Sequence, residues 1–217
     1  METPAHKTDR TLVWSYTESF PCEPAIIHTA REAAEILGAQ PVSAHTASLL
    51  TLLCASSRAE NVLEIGTGTG VSTLALLQGL TAQAALTTLD IDSSRSQKAR
   101  ELVQRSGWEG NRRIRTIVGA AQRVLPRLSS QSYDLIFLDL VPELTEFCVY
   151  QALALLHQGG LLIVNDALNA GAVANPAQRD PVTAAHRRVL QDVQECRDDV
   201  FVSLLHARQG LYLVYKR

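Results

Sequence analysis

The sequence predicts an α/β protein: a mostly parallel sheet of seven strands, helices on both faces, and an antiparallel strand at the end. Three observations carry this expectation. From about residue 61, short apolar runs alternate with amphipathic stretches, the pattern of a parallel sheet wrapped by helices. A glycine-rich turn, Gly66-Thr67-Gly68-Thr69-Gly70, joins the first apolar run to the first amphipathic stretch. Two strand-like runs with only a short polar gap between them close the sequence, a spacing that makes an antiparallel pair.

The elements follow in order. Residues 23–37 and 45–54 read as two helices joined through Gly38-Ala39-Gln40-Pro41, an N-terminal helical cap. Strands are expected over 61–65, 85–89, 114–118, 134–138 and 160–164, and then over 200–204 and 211–215. Helices fill the gaps over 71–80, 93–106, 121–128, 143–156 and 182–195, and each connection is long enough for a right-handed crossover. A long loop of small residues, 171–181, comes shortly after the fifth strand, and loops at the carboxyl edge of such a sheet are where ligands bind.

Length bounds the organisation. A chain of 217 residues suits one α/β domain with a substantial core, divided into the cap (1–58) and the sheet core (59–217). Hydrophobic residues at 46% and charged residues at 19% are ordinary globular usage. The net charge of -2 arises from 20 basic and 22 acidic residues mixed along the chain, so there is no basic face for nucleic acid. No run approaches the ~18 apolar residues of a membrane span, and no apolar leader opens the sequence, which predicts a cytoplasmic protein. Cys22, Cys54, Cys148 and Cys196 lie far apart without a C-x-x-C pair, so they read as small buried hydrophobes, not as a zinc or redox motif.

Glycines at 66, 68 and 70 let backbone approach a ligand without Cβ obstruction, although a tight strand-to-helix turn without a ligand has the same composition. The dinucleotide spacing G-x-G-x-x-G requires glycine at 71 or 73, where Val71 and Thr73 stand. The second strand leads into Asp90, twenty residues past Gly70, where a carboxylate can accept both hydroxyls of a ribose or cap the following helix.

The order Glu64-x-Gly66-x-Gly68-x-Gly70-Val71-Ser72, then Leu89-Asp90-Ile91-Asp92, Gly119-Ala120-Ala121, Tyr133-Asp134-Leu135-Ile136-Phe137-Leu138-Asp139 and Gly159-Gly160-Leu161 resembles the catechol O-methyltransferase-like family of class I methyltransferases, with its Rossmann-like sheet. The resemblance spans roughly residues 42–217 and implies an S-adenosyl-L-methionine cofactor, a small-molecule acceptor and a homodimer. It implies that Val42, Gly66, Thr67 and Ser72 hold the methionine carboxylate, with Gly68 in the same cofactor turn. It places Glu64 at the amino-acid end of the cofactor, Asp90 on the ribose, Ala120 beside the adenine and Asp139 at the reacting end, as the catalytic residue. For Glu64 the alternative is a satisfied strand-end carboxylate.

The chain departs from that family at the acceptor. Where the family shows Asp-Ala-Asp-Lys or Asp-x-x-Lys after the fourth strand, this sequence has Asp139-Leu140-Val141-Pro142, and where Asp-Asn follows the fifth strand it has Asn165-Asp166. Proline has no exchangeable proton, and divalent cations of the magnesium type favour carboxylate oxygens. No metal ligand is therefore assigned, and the expected function is metal- and lysine-independent O-methylation of a small hydroxylated molecule. The alternative is a cofactor-binding protein that has lost turnover. Asp139 and His45 are the candidate bases. His157 is expected to close a helix, His186 to lie with Arg187 and Arg188 on a solvated face, and His206 to lie between the last two strands.

Overall fold

The computed structural model of the protein describes residues 10–196 and 198–217. The strands are β1 (Asn61–Ile65), β2 (Ala85–Asp90), β3 (Arg113–Val118), β4 (Tyr133–Leu138), β5 (Leu156–Val164), β6 (Val200–Leu205) and β7 (Leu211–Lys216). They form one seven-stranded sheet in the order β3-β2-β1-β4-β5-β7-β6. Neighbours from β3 to β5 are parallel, while β7 runs antiparallel to both β5 and β6. The helices are α1 (Arg10–Ser19), α2 (Ala25–Ile36), α3 (Ala44–Ser57), α4 (Val71–Gly79), α5 (Ser93–Ser106), α6 (Ala121–Val124), α7 (Thr145–Leu155) and α8 (Pro181–Glu195).

Strand alternation divides the core between the two faces of the sheet. Val62, Leu86, Leu135 and Phe137 pack with α3 and α4 through Leu50, Leu74 and Leu77. Leu63, Ile65, Ile136, Leu138 and Leu162 face the other way, toward Cys148, Val149 and Val189 of α7 and α8. The period of two also puts Glu64 on the Val62 side, directly under α4. Between β1 and β4 the strand order reverses, so a crevice opens at their carboxyl ends, and both the glycine turn and Asp139 lie there.

Several expectations are corrected. The helix expected over 121–128 is α6 followed by a 3₁₀ turn, Leu125–Arg127, and that over 143–156 is a 3₁₀ turn, Pro142–Leu144, followed by α7. Pro142 opens its turn as a first helical residue, where its missing N–H has no helical partner, and Pro126 is the second residue of the turn that follows α6. Strand β5 begins at Leu156, so His157 lies in a strand and closes no helix. Helix α1 was not foreseen, since its apolar residues show no buried stripe: Leu12, Val13, Tyr16 and Phe20 just beyond it are all exposed. Of the cysteines, Cys54 and Cys148 are buried, while Cys22 and Cys196 are exposed, and all four are free thiols.

The amino ends of three strands are clamped by one side chain. Asp134 Oδ2 accepts from the backbone N–H of Glu60 (2.7 Å) and Asn61 (2.6 Å), and Oδ1 pairs with His157 Nε2. This pairing, chiefly the hydrogen bond to Asp134, raises the His157 pKa. A raised histidine value stabilises the fold below the ordinary histidine range and stops doing so as pH rises through the folded value. Asp134→Ala is expected to lower unfolding free energy by about 2–3 kcal/mol in urea titration, because charge-assisted bonds to two backbone donors are lost. The cost of His157→Ala should be largest below the ordinary histidine range and shrink as pH rises above it; a pH-independent cost would contradict the ion pair.

Candidate functional site

The site starts from a glutamate that the alternation of β1 forces into the core. Glu64 is fully buried, opposite Thr88 on one side and Phe137 on the other. Its Oε2 accepts from Thr73 Oγ1 of α4 and Thr88 Oγ1 of β2, each at 2.6 Å. The Thr88 hydroxyl also lies 2.5 Å from Thr67 Oγ1 in the turn. Oε1 is buried with no hydrogen-bond partner. Burial raises the Glu64 pKa from 4.5 to about 7, against the opposing effect of the Ser72, Thr73 and Thr88 hydroxyls.

The turn above Glu64 has left-handed backbone at Gly66 (φ 101°), Gly68 (φ 51°) and Gly70 (φ 95°). A Cβ on Gly66 would stand 1.9 Å from the Asp139 carbonyl oxygen, so the chain after β4 packs directly on the turn. A Cβ on Gly68 would meet nothing within 4 Å, which leaves open space on the turn's outer side. Asp90 ties this turn to β2: Oδ2 accepts from Gly68 N–H at 2.7 Å and Oδ1 from Asp92 N–H at 2.9 Å. The helix cap at α5 is Asp92, which accepts from Ser94 and Arg95, so the cap alternative for Asp90 passes to its neighbour. Gly119 N–H donates to the Asp90 carbonyl and thereby brings Ala120 alongside.

The cap reaches the same edge. Thr69 Oγ1 donates to the Ala30 carbonyl of α2 at 2.8 Å. Arg31 forms a two-pronged pair with Glu23, both contacts at 2.7 Å, and donates through Nη1 to the Val42 carbonyl at 2.5 Å. Ser43 caps α3 by accepting from Thr46 N–H. Val42 is thereby held between α2 and the start of α3 and is itself buried.

On the β4 side, Asp139 accepts from Asn165 Nδ2 at 2.9 Å. Burial raises its pKa to about 6, the Asn165 amide and the charge of Arg208 work against that rise, and Asp166 and Asp90 add to it. Asp166 has left-handed backbone (φ 54°), and its carboxylate turns to the Ala170 N–H (3.3 Å) and, with the Gln209 amide nitrogen facing it, to Gln209 at 2.6 and 2.9 Å. Among the described residues, no cluster of three or more His, Cys, Asp or Glu side chains assembles at a spacing suited to a metal ion. The segment 171–181 is held by Arg187, whose guanidinium donates to the carbonyls of Ala172, Val173, Asn175 and Gln178.

The structure thus brings Val42, Glu64, Gly66, Thr67, Gly68, Ser72, Asp90, Ala120 and Asp139 to one edge of the sheet. It does not bring His157, which lies at the opposite edge. His186 is buried, contrary to the expected solvated face, and its Nε2 bonds the Pro142 carbonyl at 2.9 Å. Since a carbonyl only accepts, Nε2 carries the hydrogen. Sequence reasoning missed Thr73, Thr88, Arg31 and Arg208. Pairing β1 and β2 in parallel register places Thr88 beside Glu64 and was the signal for Thr88; the contacts of Arg31 and Arg208 join distant segments and left none.

A profile for O-methyltransferases matches residues 19–217. The chain belongs to the O-methyltransferase family. A protein of Mycobacterium tuberculosis named as an O-methyltransferase is 37% identical over 183 residues, covering 84% of this chain and 81% of that protein. A Corynebacterium glutamicum crystal structure superposes with a TM-score of 0.85 at 28% identity, covering 95% of this chain and 96% of the other. The O-methyltransferase TomG of Streptomyces achromogenes, solved in complex with SAM, shares the fold, with a TM-score of 0.82, 23% identity, and coverage of 96% and 99%.

The Glu64 pKa has a direct consequence for the free protein. A carboxyl whose folded value lies above its unfolded one binds more protons when folded, so stability falls as pH rises from 4.5 toward 7. Glu64→Gln removes that ionisation. The unfolding free energy of the variant relative to the wild type should therefore rise between about pH 5 and about pH 8, toward a limit of about 3 kcal/mol. A difference that stays constant with pH in urea titrations would contradict the burial argument.

Proposed function

We propose that this chain transfers the methyl group of S-adenosyl-L-methionine to a hydroxyl of a small-molecule acceptor. The observation that carries this reading is the unpartnered, buried Oε1 of Glu64 at the foot of a glycine turn. A buried carboxylate oxygen without a donor is costly, and the ammonium of an amino-acid moiety supplies a strong one. The backbone at Val42, Gly66 and Thr67 and the Ser72 hydroxyl then receive the carboxylate of the same moiety, and the open side of Gly68 leaves room for it. Asp90 holds the ribose through its remaining lone pairs, since each of its oxygens already accepts one backbone N–H. Ala120 borders the adenine. Asp90→Ala would loosen the turn as well as the ribose, so it is a poor probe of either alone.

When bound, the sulfonium supplies a methyl group already activated toward attack. The protein's work is to align the acceptor hydroxyl, exclude water and accept its proton. Asp139, with a value near 6, is ionised for that purpose at neutral pH. The residues around it do not fit a divalent cation. Asn165 turns its amide donor toward Asp139, Asp166 turns away to Gln209, and Pro142 offers no side-chain ligand. The alternative of a silent binding protein gains no support from relatives that carry enzyme names.

The acceptor site lies between the cap and the segment 169–181. We further propose a cytoplasmic homodimer joined through the N-terminal helices, supported by the exposed Val13, Tyr16 and Phe20 at α1 and Leu52 on α3. No helix among the described residues is long and apolar enough to cross a membrane.

Adenosylhomocysteine release from a panel of phenols and catechols tests the reading. Turnover is expected to persist in EDTA, and Asp139→Asn is expected to lower kcat by about 10²-fold or more while changing cofactor affinity little. Activity abolished by EDTA and restored by magnesium would overturn the metal-free site, and absence of both cofactor binding and turnover would overturn the methyltransferase assignment.

A further inference from the structure

We propose that Arg208 is the cation that holds the acceptor's oxygen as it loses its proton, in the absence of a lysine at position 142. The inference rests on the methyltransferase reading and adds a residue to it. Arg208 sits in the turn between β6 and β7 with left-handed backbone (φ 45°). A non-glycine residue is held in that conformation only where its surroundings over-determine it. Its N–H donates to Glu18 Oε1 of α1 at 3.1 Å, and its guanidinium donates through Nη1 to the Pro41 carbonyl at 2.9 Å. On the other side the turn is laced to the segment after β5: Ala167 N–H donates to Gly210 at 3.0 Å and Leu168 N–H to Gln209 at 2.9 Å, while Gln209 faces Asp166.

This lacing spans the mouth of the switch point. One end holds the residue preceding Val42, and the other holds the residues following Asn165, which bonds Asp139. The positive charge of Arg208 lowers the pKa of both Asp139 and Asp166, so it lies within electrostatic reach of the reacting end. The other ionisable groups around it are Glu18 on α1, His206 in its own turn, and His186 of α8. Among the described residues the guanidinium donates through Nη1 alone, so a fork of donors is left for an oxygen anion.

In the reaction, the acceptor oxygen forms a bond to the methyl carbon as the carbon–sulfur bond breaks. The bonding pair stays on sulfur and neutralises the sulfonium, while the acceptor's proton passes to the Asp139 carboxylate. Arg208 remains protonated throughout and offsets the negative charge on the acceptor oxygen before the new bond is complete. An arginine does this at any physiological pH, because its own proton is not exchanged.

The test uses the full-length protein saturated with adenosylhomocysteine and 4-nitrocatechol as a chromogenic probe. Ionisation of the bound probe is followed by its absorbance across pH. In the wild type and Arg208→Lys, the bound probe should ionise at least about one pH unit below the free probe, the effect of an opposite charge close by. In Arg208→Gln it should ionise near its free value. Adenosylhomocysteine affinity, measured by calorimetry, should stay within about threefold in all three proteins, less than 1 kcal/mol. Equal probe ionisation in wild type and Arg208→Gln, or failure of the probe to bind a protein that binds adenosylhomocysteine, would overturn the proposal. So would a loss of adenosylhomocysteine affinity that accounts for the whole change, because Arg208 would then serve only to brace Pro41. A wild type that binds no adenosylhomocysteine would instead overturn the methyltransferase reading.

Discussion

The Glu64 carboxylate, fully buried and partnered on one oxygen only, sets the terms for the rest of the site. Period-two alternation in β1 gives it no route to solvent, and α4 seals it from above. Thr73 and Thr88 satisfy Oε2, and Thr67 extends the network into the turn, so the glycine turn and β2 are registered against one anion. That arrangement stores a cost in the free protein, with the pKa raised by burial to about 7, which a cationic ligand group would relieve. Stability is given up at the place where binding recovers it.

The remainder of the site divides along the switch point between β1 and β4. The half proposed to receive the cofactor is built from short, backbone-dominated contacts: the close approach of Gly66 to Asp139, the tie from Asp90 to Gly68, and the Arg31 brace on Val42. The half proposed to receive the acceptor is built from side chains on later segments: Asp139 with Asn165, Asp166 with Gln209, Arg187 on the carbonyls of 172–178, and Arg208 on Pro41. The two halves meet at Asp139 and its neighbours and again where Arg208 donates to the Pro41 carbonyl beside Val42.

What was legible in the sequence follows from the same division. Strands β1 to β5 and the glycine turn show themselves through local alternation and spacing, and seven strands were expected where seven occur. Glu64, Asp90 and Asp139 stand at strand ends, where a single residue after an apolar run is conspicuous. Helix α1 was not legible because its apolar residues stay exposed instead of marking a buried stripe. His157 and His186 were misplaced for a related reason. Each is positioned by one long-range partner, Asp134 or the Pro142 carbonyl, and such partners leave no periodic trace. Arg208 is the extreme case, since its contacts join residues 18 and 41 to a turn near the end of the chain.

In the proposed site Glu64 ionises to receive the ammonium of the cofactor. Calorimetric titration of adenosylhomocysteine in buffers of different ionisation enthalpy measures the protons released on binding. At about pH 6 the free carboxyl is mostly protonated, so binding should release a sizeable fraction of one proton, falling to almost none by about pH 8.5, and Glu64→Gln should abolish this pH-dependent release. Proton release that is independent of pH, or unchanged in Glu64→Gln, would contradict the account.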